Sequence, residues 1–328
     1  MITDRSIIGR YFMRLEALAG ESYISKITMP FLSDQDSEKY EWLNAVPAMK
    51  EFIGGLNAKG FIENNIEIKN KLFESTIRIP RKWLYRDKTG QISIKISELS
   101  RRTIEHWDKL VSTLINGADA LSCYDGQFFF DTDHSEGKSG TISNLISVDI
   151  STLPTNQHGS VTKPSPEEME LAILEGVQQM FAFKDDQGEP MNGSAKKFVI
   201  MVPVPYLTVA LAACKNPVLT SGKTSTIVAS KDAFELTPVV NPRLSWTDKF
   251  AIFRADSDIK PIIRQAQVAS PVNPNASGEF NELAGVRLEV IGENSEHAIK
   301  HEEHIYTAKA ERNTGLGFWQ LACQVRLI

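Results

Sequence analysis

Apolar residues recur at helical spacing in several stretches of the chain. Ile7, Ile8, Tyr11, Phe12, Leu15 and Leu18 predict a short amphipathic helix over 1–20. Leu99, Thr103, Trp107, Leu110 and Leu114 share one face of a helix over 98–116, with Ser97-Glu98 as its cap and Asn116-Gly117 closing it. A third helix is predicted over 166–183. Ser165 caps it, Pro166 fills its first turn, and Glu167, Glu168 and Glu170 follow where negative charge suits the helix dipole. A fourth, over 204–215, opens at Pro203 and ends near Asn216-Pro217.

Other stretches alternate with the period of a strand. Phe61, Ile62, Ile66 and Ile68, then Phe73, Thr76, Ile77 and Ile79, predict a long hairpin within a β-rich region over 57–96, its turn near Lys69-Asn70-Lys71. An apolar run over 197–202 reads as a buried strand. Short strands follow at 225–229, 234–240, 250–254, 262–269, 286–291 and 306–311, with a loop or hairpin tip over 270–281. Runs of strands with a few segregated helices indicate an α+β fold. Two pieces look incomplete: 1–48 has too few apolar residues for a core of its own, and an isolated hairpin is not stable in water. Both need another surface to lie on.

Composition narrows the classes. The 328 residues are 42% hydrophobic and 23% charged, ordinary for a globular protein and incompatible with a collagen-like or wholly disordered chain. The longest apolar stretch, 198–214, is broken by Pro203, Pro205 and Thr208, so no membrane span is expected. The N-terminus lacks the layout of a signal peptide, which places synthesis in a cytoplasm. Cys123, Cys214 and Cys323 are widely spaced and odd in number, so buried free thiols are expected.

The net charge of −5 argues against a protein that grips nucleic acid over its whole surface, but the charge is uneven. Residues 69–102 hold ten Lys/Arg against three Asp/Glu; residues 164–190 hold seven acidic residues against one lysine. Two solvated faces account for this, as does a basic region of one copy meeting an acidic surface of another.

Enzyme motifs are weak. Ser221-Gly222-Lys223-Thr224 resembles the end of a phosphate-binding loop, but Pro217 stands where the leading glycine belongs. His297, His301 and His304 fall at i, i+4, i+7 and could offer three imidazoles to a metal, although no zinc-protease motif is present. Asp131 and Asp133 beside His134 could support acid–base chemistry, or form the polar turn at a strand end. A metal-dependent hydrolase built from these groups stays open as an alternative.

Several segments, in order, resemble the Mu-like major head subunit family, the gpT-like major capsid proteins of tailed bacteriophages. They are EKYEWL at 38–43 with Pro47 and Phe52-Ile53-Gly54, IKNKLFE at 68–74, 76–81, YDGQFFFDTDH at 124–134, KDDQGEP at 184–190, and AERNTGLGFWQLA at 310–322. YDGQFFFDTDH and GFWQLA carry most weight. One departure is the basic stretch over 81–88, where an acidic one is expected.

The resemblance implies the Hong Kong 97 fold. It places an N-terminal arm at 1–51, an E-loop hairpin at 52–82, a peripheral domain at 83–164 with a spine helix at 98–116, an axial domain at 165–248, and a return to the peripheral domain at 249–328. It implies a non-enzymatic shell subunit without cofactor or metal, forming pentamers and hexamers around double-stranded DNA held without sequence readout. Its partners would be a separate scaffold and protease, a portal protein, and minor or decoration capsid proteins. A separate scaffold is expected because about 50 residues precede the E-loop. The E-loop would lie on a neighbouring subunit, with Gly54, Gly55 and Gly60 letting it tilt. Lys69, Asn70, Lys71, Arg78, Arg81 and Lys82 are then the candidate contacts on the basic side, and Glu167, Glu168 and Glu170 on the acidic side. Some relatives cross-link lysine to asparagine, but no acceptor pattern is visible here. An encapsulin-type compartment holding protein cargo is the alternative within the same fold.

Overall fold

The computed structural model describes residues 3–20, 22–42, 64–86, 90–267 and 283–328. Its elements run α1 (Asp4–Leu18), β1 (Thr28–Ser33), β2 (Ser37–Trp42), β3 (Asn64–Lys69), β4 (Lys71–Pro80), α2 (Arg81–Arg86), α3 (Gln91–Asn116), β5 (His134–Ser135), β6 (Thr141–Ile142) and β7 (Leu145–Val148). They continue α4 (Pro166–Phe181), β8 (Lys197–Val202), α5 (Leu207–Lys215), α6 (Thr226–Ala229), β9 (Glu235–Val240), β10 (Lys249–Arg254), β11 (Ile262–Gln267), β12 (Val286–Ile291), α7 (Glu296–His301), β13 (Glu303–Leu316) and β14 (Ala322–Leu327). The fold is α+β, as expected.

Two five-stranded sheets organise the molecule. The first is built on β13, whose burial alternates with period two along most of its length. Ala308 pairs with both Ser75 of β4 and Leu288 of β12, while Arg312 pairs with both Lys71 of β4 and Ala266 of β11. β4 therefore runs along one edge of β13, and β11 and β12 follow one another along the other. The second sheet has the order β7-β14-β10-β8-β9. β10 lies at its centre, so the domain division expected at 248/249 falls inside a sheet.

α3 ties the two sheets together. Ile92, Ile96 and Leu99 pack with the inner face of the first sheet, and Trp107, Val111 and Ile115 with the core of the second. At 26 residues it is about 39 Å long. It begins at Gln91, after Gly90 in the left-handed region (φ 73°), and not at the Ser97-Glu98 cap expected from sequence. α4 keeps its expected start: the Ser165 hydroxyl accepts from the Glu168 N–H in a full capping box.

Four other expectations are corrected. The two strands expected to form one hairpin do not pair: β3 pairs with β2, and β4 with β13. The turn near Lys69–Lys71 is thus a crossing from one pairing to another, because β13 offers β4 a ten-residue partner. α1 needs no foreign surface. Ile7, Tyr11 and Leu15 are buried against α3 and the first sheet, and the Tyr11 hydroxyl lies 3.0 Å from that of Thr103. Residues 226–229 form a short helix capped by Ser225 where a strand was expected. His297 and His301 sit on α7, but His304 belongs to β13, so the three share no helix. Gly54, Gly55, Gly60 and the 270–281 loop lie outside the described residues.

Candidate assembly surfaces and the junction between the sheets

The candidate contact residues divide into exposed and internal groups. Lys69 and Lys71 are exposed. Asn70 between them is bolted to its own chain: its side chain donates to Ser33 Oγ (3.1 Å) and the Gln35 carbonyl (2.8 Å) and accepts from Gln265 Nε2 (2.9 Å). Arg78 is well exposed and 3.9 Å from Glu303. Arg81 pairs with Glu293 and lies over the Tyr85 ring. Hydrogen bonds from Tyr85 and Arg81 hold the Glu293 carboxyl below the usual range. Lys82 is exposed beside Trp83, which is 57% exposed.

Glu167, Glu168 and Glu170 are buried and do not form an acidic contact surface. Each accepts backbone N–H groups of its own chain. Glu167 takes Ser221 (2.7 Å), Glu168 takes Gly159 (2.9 Å) and Ser165 (2.7 Å), and Glu170 takes Thr226 and Ile227. A buried carboxylate needs such donors, and these loops supply them. The Glu167 contact also places a carboxylate against the Ser221-Gly222-Lys223-Thr224 turn, where a phosphate would be repelled.

The groups of the hydrolase alternative are kept apart. His304 lies 3.1 Å from Asp4 in the first sheet's layer, and the His297 ring stands 4.6 Å from that of His301. Asp131 accepts from the Thr132 and Phe128 N–H groups near the second sheet. Desolvation raises its pKa, but those bonds and one with Asp133 outweigh it and leave it lowered. Among the described residues no group of three or more His, Cys, Asp or Glu is placed to hold a metal ion. No helix among them is long and apolar enough to cross a membrane.

A polar cluster lies where the chain crosses between the sheets; of its members the sequence singled out only His134, as a candidate for acid–base chemistry. Segment 317–321 joins β13 to β14, segment 255–261 joins β10 to β11, and 117–144 leads from α3 to β7. These crossings meet. The Gly317 N–H donates to the Pro261 carbonyl (2.8 Å), and Cys123 Sγ to the Gly317 carbonyl (3.3 Å). The His134 ring stacks on Trp319 at 4.0 Å and 9°, and its Nδ1 is 2.6 Å from Asp125. Gln320 Nε2 donates to the Tyr124 hydroxyl (2.7 Å), which in turn donates to Glu136. Burial pushes the Glu136 carboxyl up and, with Glu136 beside it, the Tyr124 phenol well up. Asn144 and Asn192 tie the Trp319 and Gln320 carbonyls to the 129 and 180 backbone. The two segments that carried the family resemblance, 124–134 and 317–322, are thus one structural unit.

This architecture is the Hong Kong 97 fold. The chain superposes on the subunit in the procapsid of bacteriophage JBD30 with a TM-score of 0.55 and 20% identity, covering 99% of this chain and 76% of that one. Residues 10–153, under half of the chain, match the family described as Mu-like prophage major head subunit gpT. Two curated relatives match part of the chain. The Mu-like prophage FluMu major head subunit of Haemophilus influenzae is 33% identical over 127 residues, 39% of this chain and 41% of the relative. The major capsid protein of Escherichia phage Mu is 31% identical over 135 residues, 39% of this chain and 44% of the relative. The alignments therefore span about two fifths of the relatives' own lengths.

Proposed function

We propose that the chain is the major capsid protein of a tailed bacteriophage. It assembles into pentamers and hexamers of an icosahedral shell that encloses double-stranded DNA, and it works as wall material without catalysis. The observation that carries this is the coincidence of head-subunit sequence over 10–153 with a capsid fold over 99% of the chain.

The physical organisation supports the reading. β2 and β3 form a two-stranded ribbon that packs on the first sheet at one end, with Ile68 buried against Ile263 and the Tyr40 hydroxyl donating to Gln265 Oε1 (2.7 Å). The ribbon is the counterpart of the E-loop, the element that lies on a neighbouring subunit in the assembled shell. Lys69, Lys71, Arg78 and Lys82 stay exposed and available to that neighbour, whereas Asn70 and the three glutamates serve their own fold. The residues around α5 and α6 form the axial end that meets its copies about the local axis, in head-to-tail rings. A separate scaffold and protease, a portal and minor or decoration proteins complete assembly in the bacterial cytoplasm, and the product is the virion capsid.

Nuclease treatment of particles from infected or induced cells tests the cargo. DNA protected inside particles built mainly of this chain is expected. Particles filled with a single cargo protein and no DNA would favour the encapsulin-type compartment.

A further inference from the structure

β4 holds two unlike surfaces apart. At its end sits α2, of sequence RKWLYR. Leu84 is buried and anchors this helix, while Trp83 and Tyr85 are 57% and 46% exposed. Tryptophan and arginine are the residue types that anchor protein interfaces, and both stand open here. Arg81 is taken by Glu293, but Lys82 and Arg86 are exposed and make no ion pair with a described residue.

At the start of β4 lies the turn between β1 and β2. Asn70 pins it there: its N–H donates to the Asp36 carbonyl (2.9 Å), and its side-chain amide donates to the Gln35 carbonyl (2.8 Å). Asp34 and Asp36 are exposed and likewise make no ion pair with a described residue. Leu72, the second residue of β4, is 55% exposed. The ten residues of β4 separate the turn from α2, which puts the two surfaces about 33 Å apart at about 3.3 Å per residue. Neither can reach the other within one molecule.

We propose that α2 of one copy docks on the 34–36 turn of the next copy. Trp83 then covers the apolar surface at Leu72, and Lys82 and Arg86 meet Asp34 and Asp36. This deepens the capsid reading above and rests on it. The occupant is a second copy because the two ends match one another: two cations face two carboxylates, and each end carries an exposed apolar side chain. Complementary patches at opposite ends of one strand make a head-to-tail contact, the kind that closes into rings. Like ends brought together would oppose like charges, which disfavours a two-fold pair. Both patches are fixed to the same sheet before contact, so little ordering is lost on docking.

The test uses the full chain, produced with the proposed scaffold, and two kinds of variant. K82E/R86E should lower the yield of shells or rings about tenfold or more, and D34K/D36K should do the same, because each sets like charges against one another. The four changes together should restore most of the yield. Thermal melting of the unassembled variants should match wild type, since all four side chains are exposed. The second kind is D36C/K82C under mild oxidation. A disulfide needs Cα atoms within about 7 Å, so these cysteines cannot join within one chain, and the native thiols are buried. Non-reducing electrophoresis should show a ladder of multimers, while D36C and K82C separately stay monomeric. Reversals that assemble like wild type, a combined variant that is not rescued, dimers from either single cysteine, or a double-cysteine variant without a ladder would overturn the proposal. If wild type assembles while these results fail, this inference alone is refuted; if wild type never assembles, the capsid reading is refuted.

Discussion

The imidazole of His134 lies flat on the indole of Trp319, 4.0 Å apart and 9° from parallel, although 185 residues separate them. Trp319 is fully buried at the crossing from the first sheet to the second, and the Phe183 ring meets its edge at 6.0 Å. Trp319→Ala is expected to cost about 3–5 kcal/mol through lost burial and an unfilled cavity. Urea unfolding of the unassembled protein measures it. A loss under about 1 kcal/mol would mean that the crossing is not braced as described.

Gly176 lets α4 sit directly on the second sheet. A methyl group there would meet Ile252 Cδ1 at 2.5 Å and Val325 Cγ2 at 2.8 Å. Gly176 has helical neighbours on both sides, so the better helix propensity of alanine pulls the other way by about 1 kcal/mol. Overpacking of about 1–3 kcal/mol should win, and Gly176→Val should be worse than Gly176→Ala. Thermal melting of both variants checks the order.

His106 sits half-buried on α3 with its ring 4.3 Å from that of Phe73. Burial above all, then Arg312, Lys109 and Arg243, lower its pKa to about 4. The folded state therefore favours the neutral ring. Its contribution to stability is full above the unfolded histidine value near 6.5 and is lost as pH falls toward 4. Melting temperature should drop over that window more steeply for the wild type than for His106→Gln. Parallel curves for the two proteins would show that His106 does not drive the loss.

The three cysteines are buried and free. Burial pushes the Cys214 thiol up to about 12 and the Cys123 and Cys323 thiols higher still. Few thiolates form near neutral pH, so a thiol reagent should label none of the three in the native protein and all three in denaturant. Rapid native labelling, or an inter-subunit disulfide in non-reducing electrophoresis, would contradict the burial.

Local signals carried the four longest helices and most strands. Ser165 and Pro166 marked the start of α4, and the period-two run over 286–291 matches β12 at both ends. The start of α3 was hidden because QISIKIS also alternates with the period of a strand. Only contact with α1 and the first sheet shows that Ile92, Ile96 and Leu99 share a helical face. The β4 pairing was hidden for a similar reason: its partner lies more than 200 residues away, and no local pattern encodes that register. The acidic run at the start of α4 looked like surface. Its acceptors are used by N–H groups at 159, 221 and 226, which sequence spacing does not reveal. The junction was half legible: YDGQFFFDTDH and GFWQLA stood out as family signature, but their meeting at His134 and Trp319 is a tertiary fact.

Electron microscopy of the purified chain, produced alone and together with the proposed scaffold, tests most directly whether these molecules build a container. Closed shells, or five- and six-membered rings on the way to them, are the expected images. A sample that stays as single compact particles at every concentration and with the scaffold present would contradict the account.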